Sequence, residues 1–114
     1  MYKIMLADDE GIVIDSLKFI IEKEFKDICE VQYAKTGRSV IELAESFRPD
    51  IAVMDIQMPE MDGLQVLEEM NNRGFIEDIP VIMISSEDSD AAIRRSYELG
   101  ASDYVNRPFV ARFV

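Results

Sequence analysis

Five short apolar runs punctuate this chain, and their spacing is what most restricts its fold. They are Lys3 to Ala7 (KIMLA), Glu30 to Ala34 (EVQYA), Ile51 to Met54 (IAVM), Val81 to Ile84 (VIMI) and Asp103 to Val105. All have strand length; the second is weaker and the fifth is short. The stretches between them carry apolar residues at helical intervals. Ile12 to Phe25 places Val13, Leu17, Ile20 and Ile21 on one face, with Asp15, Lys18, Glu22 and Lys26 mostly outside. Gly37 to Phe47 brings Val40, Leu43, Ala44 and Phe47 into step, and Arg48-Pro49-Asp50 breaks it, because proline cannot continue a helix. Beyond Pro59 and Asp62-Gly63, a third helix bears Leu64, Leu67 and Met70 and closes at Asn71-Asn72-Arg73-Gly74. A fourth, capped by Asp88, Ser89 or Asp90, carries Ala92, Ile93, Tyr97 and Leu99 and stops at Gly100.

The order is therefore βαβαβαβαβ. Continuous apolar strands are buried on both faces, as in a parallel sheet with helices on each side. A length of 114 residues suits one domain over 1–114, and no repeat, low-complexity tract or linker interrupts it. A fifth helix is expected after Pro108. Only Phe109 to Val114 (FVARFV) remain, so the final helix is expected to be truncated, with an output domain possible beyond it.

Composition removes several function classes. A net charge of -11 opposes direct nucleic-acid or anionic-membrane binding, both of which need clustered cations. No run reaches the ~18 apolar residues of a membrane span. The opening MYKIMLADDE is not a secretory signal, so a cytoplasmic protein is expected, with the lone Cys29 a reduced structural thiol. Histidine is absent, which excludes Ser-His-Asp and Cys-His nucleophile pairs and His-ligated zinc. Chemistry must run on carboxylates, hydroxyls, cations and metal.

In an open parallel α/β sheet, ligands sit beyond the carboxyl ends of the strands. Asp8 and Asp9 follow the first strand, Asp55 the third, Ser85 and Ser86 the fourth, and Arg107 lies beyond the fifth. Any one of these acids alone would serve as well as a helix cap, but together they bring carboxylates, a hydroxyl and a cation to one rim. Clustered carboxylates repel unless a cation joins them. An all-oxygen set favours Mg²⁺, Mn²⁺ or Ca²⁺, and Mg²⁺ characteristically pairs one or two carboxylates with a phosphate oxygen. A metal so placed would neutralise charge while an Asp attacks phosphorus. Met54, Met58 and Met61 read as packing rather than as metal ligands.

The sequence Asp8-Asp9-Glu10, the block MDIQMPEMDG around Asp55, VIMISS at Ser85 and DYVNRPF near the end resemble the receiver domain of two-component response regulators, over essentially the whole chain. The resemblance implies a flavodoxin-like, doubly wound five-stranded parallel sheet of order 2-1-3-4-5. It implies Asp55 as phosphoacceptor, Asp9 touching Mg²⁺ directly, Asp8 acting mostly through water, and the Gln57 carbonyl as a further ligand. Ser85 stands where the family has Thr or Ser, Tyr104 at the aromatic switch position, and Pro108 at a proline whose peptide bond is often cis. The implied function is a signalling switch phosphorylated by a sensor histidine kinase, a phosphotransfer protein or a small acyl phosphate. It would catalyse only its own phosphorylation and dephosphorylation, and could dimerise through the fourth-helix and fifth-strand face.

One position departs from the pattern: Arg107 replaces the family lysine. Arginine keeps the charge but has a larger, planar head. A phosphate-independent pseudo-receiver therefore stays open as the alternative. An aspartyl-phosphate phosphohydrolase is less well matched, since Gln57 stands where its second Asp belongs. A flavin carrier would need a Gly- and hydroxyl-rich loop where this chain has Asp8-Asp9-Glu10.

Overall fold

The fold is described by a computed structural model for residues 1–25, 27–85 and 90–106. The five apolar runs are strands β1 (Tyr2–Ala7), β2 (Cys29–Ala34), β3 (Ile51–Asp55), β4 (Val81–Ser85) and β5 (Asp103–Asn106). They form one parallel sheet in the order β2-β1-β3-β4-β5, the expected doubly wound topology. Four α-helices connect them: α1 (Gly11–Phe25), α2 (Gly37–Phe47), α3 (Gly63–Asn72) and α4 (Asp90–Glu98). The residues proposed to cap α4 at positions 88 and 89, and the expected final helix, lie outside the described residues.

Helices α2 and α3 start and stop where local chemistry dictates. The Thr36 side chain accepts the Ser39 amide at 3.2 Å and caps α2. Arg48 ends α2 in the left-handed region (φ 50°), and Pro49 prevents continuation. Asp62 and Gln65 form a reciprocal capping box at α3, with bonds of 2.8 and 2.9 Å. A 3-10 turn, Phe75–Glu77, absent from the sequence reading, links α3 to β4. Gly100, with φ 106°, turns the chain into β5 and leaves room for Ile76.

The main core lies between the sheet and α2, α3 and α4. Met5, Met54 and Met83 from the strands meet Val40, Ala44, Val66, Leu67 and Met70 from the helices, all essentially buried. In α2 the expected stripe holds for Val40, Ala44 and Phe47, while Ile41 is buried and Leu43 only partly so. In α4 the buried residues are Ala92 and Ser96; Tyr97 is 47% exposed. The Ser96 hydroxyl donates to the Ala92 carbonyl at 2.9 Å, which is how a polar residue enters this core.

Helix α1 departs from expectation. Its one buried residue is Ile14; Val13, Leu17 and Ile21 are half-buried, and Ile20 is 56% exposed. Apolar residues run nearly around this helix, so periodicity alone did not define its inner face. No α-helix among the described residues has the length and apolar character to cross a membrane.

Candidate functional site

Strand register sets the site. Ala7 pairs with Met54, Met54 with Met83, and Met83 with Tyr104, so four strands reach a common level at their carboxyl ends. Asp8 and Asp55 each follow the Ala7–Met54 pair, on strands that neighbour one another at about 4.8 Å. Ser85 is one residue beyond Ile84, the partner of Asp55. The register thus brings Asp8, Asp55 and Ser85 to one rim. All three are buried, at 2%, 4% and 0% exposure.

Asp9 and Glu10 complete the rim on the solvent side. The Glu10 amide donates to Asp8 Oδ1 at 2.9 Å, which folds the acidic turn back on itself. Asp8, Asp9 and Glu10 each offer a carboxylate oxygen within 4.8 Å of the others. Glu10 is a member that the sequence reading did not assign, although it stands in the same acidic run. Asp55 is not part of this trio. Gln57 is exposed, two residues past Asp55. Arg107 and Pro108 lie outside the described residues.

The loop after Asp55 is held from three sides. Ile56 and Met58 are buried in the core, and Met61 packs against it, in keeping with a packing role for these methionines. The Gly63 amide donates to the Ile56 carbonyl at 2.6 Å. A Cβ on Gly63 would collide with the Asp55 carbonyl oxygen and stand 2.7 Å from Ile56 Cα, so α3 starts against the backbone of Asp55 only because this residue has no side chain. A Cβ on Gly37 would likewise lie 2.7 Å from the Met61 carbonyl oxygen and 2.9 Å from Val66. The Met61 amide reaches the Pro59 carbonyl at 2.8 Å around Glu60, whose φ is 71°. That is a three-residue γ-turn with a non-glycine at positive φ, a strained arrangement beside the rim. In the sequence Asp62-Gly63 reads only as a loop; the available signal is an Asp-Gly pair at the seventh and eighth residues after Asp55.

Tyr104 is half-buried and packs against the core cluster. Its backbone amide donates to Asp103 Oδ1 at 2.8 Å, and the Tyr97 hydroxyl is 3.3 Å from the same oxygen. Asp103 thereby ties α4 to the start of β5, next to the aromatic residue.

A doubly wound sheet with buried Asp55 and Ser85 and an acidic trio on one rim defines a class: an α/β domain whose strand ends gather carboxylates and a hydroxyl. The family follows. Residues 4–112 match the model of the response regulator receiver domain. The chain belongs to that family, the receiver domains of two-component signalling. Among solved structures it is similar to a CheY-like response regulator receiver domain protein from Methanospirillum hungatei, with 27% identity, a TM-score of 0.87, and coverage of 99% of this chain and 86% of that one. It also resembles the response regulator domain of Thermotoga maritima CheB, with 28% identity, a TM-score of 0.83, and coverage of 96% and 80%. The chemotaxis protein CheY4 of Vibrio cholerae shares the fold, with 22% identity, a TM-score of 0.86, and coverage of 98% and 91%.

Proposed function

We propose that this domain is a phosphorylation-dependent switch with Asp55 as phosphoacceptor. The observation that carries the reading is Asp55 itself: a carboxylate 4% exposed, at the end of a central strand, on the rim that also bears Asp8, Asp9 and Ser85. The donor set is all oxygen, which fits Mg²⁺. Asp8 and Asp9 would hold the ion together with Asp55 and the Gln57 carbonyl. When bound, Mg²⁺ offsets negative charge between the acids and the phosphoryl group.

The remaining steps belong to the chain. An Asp55 oxygen attacks the phosphorus of a donor, the donor's bond to phosphorus breaks, and an aspartyl phosphate forms. Because residues 1–114 hold no histidine, the donor lies outside them: a sensor histidine kinase, a phosphotransfer protein or a small acyl phosphate. The Ser85 hydroxyl donates a hydrogen bond to a phosphoryl oxygen, and Arg107 pairs with its charge. The modification adds roughly -1.5 to -2 charge at the rim. Ser85 and Arg107 draw toward it, Tyr104 follows, and the α4–β5 surface is reshaped for a partner or a second copy. We place this in the cytoplasm, with no direct contact to nucleic acid by this domain.

The test is intact mass after incubation with Mg²⁺ and fresh acetyl phosphate. The parent should gain one labile phosphoryl group only when Mg²⁺ is present, and Asp55→Asn should gain none. A folded parent that gains nothing, but gains the group once Arg107 is replaced by Lys, would favour the pseudo-receiver reading that Arg107 raises.

A further inference from the structure

Strand β2 ends at Ala34, whose carbonyl accepts the Asp8 amide at 3.1 Å. Lys35, the next residue, therefore enters the rim on the side of the acidic turn. Its ammonium stands 3.4 Å from the point that a Cβ on Gly11 would occupy. Gly11 directly follows Glu10 and opens α1, so the ammonium lies against the first turn of that helix. A helix N-terminus carries partial positive charge and repels a cation. The charge that compensates in this corner is the trio of Asp8, Asp9 and Glu10. Among the described residues Lys35 forms no ion pair, so no single carboxylate fixes it. In the same position the ammonium lies 5.9 Å from the centroid of the Tyr33 ring, within cation–π range.

From this geometry we propose that Lys35 sets the divalent-cation affinity of the acidic rim. The inference rests on the metal site proposed above. Without metal, the ammonium neutralises part of the trio's charge. A divalent cation at the trio repels it toward the Tyr33 ring, and that repulsion weakens metal binding. Lys35 touches neither phosphorus nor the attacking oxygen; it acts on the rim through its charge. Lys35, Asp9 and Glu10 are solvent-exposed, so their interaction is modest and falls as salt rises.

Calorimetric titration of the whole chain with MgCl₂ at low ionic strength tests this, using the parent, Lys35→Met, Lys35→Arg and Asp9→Asn. Lys35→Met keeps the aliphatic stem and loses the charge; it should bind Mg²⁺ about two- to fivefold more tightly than the parent, with the gap narrowing as salt is added. Lys35→Arg should retain the parent affinity. Equal or weaker binding by Lys35→Met, or the same gain in Lys35→Arg, would overturn the role of Lys35 while leaving the metal site intact. A parent that binds no Mg²⁺ and behaves as Asp9→Asn does would instead overturn the metal site, and this inference with it.

Discussion

Among the described residues, the two faces of the sheet are covered differently. On one, α2, α3 and α4 bury a continuous set of methionine and branched aliphatic side chains, from Met5 through Met54 and Met83 to Val66, Leu67 and Met70. On the other, α1 is the helix described, and it buries only Ile14 while Ile12 and Phe19 stand 75% and 67% exposed. The first face also carries the elements that fix the loop after Asp55: α2 through Gly37, and α3 through Gly63. The loop after Asp55 is therefore braced from the densely packed side. The α1 side supplies the acidic turn, in which Asp8 is buried while Asp9 and Glu10 are exposed.

Three substitutions bear on this contrast. Leu67→Ala, in the dense face, should lower unfolding free energy by about 2–5 kcal/mol in a urea titration, because Leu67 is fully buried in the core cluster. A cost below about 1 kcal/mol would mean that this face relaxes as readily as the other. Gly63→Ala should destabilise by about 1–3 kcal/mol, because the added methyl meets the backbone of Asp55 and Ile56. It should also slow phosphorylation more than its stability loss explains, since the displaced atoms include the backbone of Asp55, the proposed acceptor. A variant with parent stability and parent rate would show that α3 does not brace the site. Phe19→Ser, on α1, should stay within about 0.5 kcal/mol of the parent. A loss above roughly 1.5 kcal/mol would show Phe19 covered in solution, which sedimentation at several concentrations would assign to a second copy or to the same chain.

How much of this was legible in the sequence follows the same division. The five strands, the helix spans and the parallel topology could be read because each strand is a short apolar run ending at a polar residue, and α2 has a stripe narrow enough to define a face. Asp8, Asp55 and Ser85 were legible for the same reason: strand ends in a parallel sheet share one rim. The inner face of α1 was not, because Ile12, Val13, Ile14, Leu17, Phe19, Ile20 and Ile21 offer several competing faces and only tertiary contact selects one. Ser96 was missed because its hydroxyl is satisfied within its own helix, which no polarity scale anticipates. Gly37 and Gly63 carry no chemistry of their own; their importance lies in the backbone that approaches them, and that emerges only in three dimensions. Glu10 was overlooked as a possible ligand because the rim was read one strand end at a time, whereas the acidic turn folds back through the Glu10 amide.

The central claim is that Asp55, among the carboxylates of this rim, takes the phosphoryl group. The most direct measurement is borohydride reduction of the freshly phosphorylated chain, which converts an aspartyl phosphate to homoserine, followed by peptide sequencing in the mass spectrometer. Homoserine at position 55 alone is the expected result. Homoserine at position 8 or 9, or an unreduced Asp55 in a chain that carries the added phosphoryl mass, would contradict it.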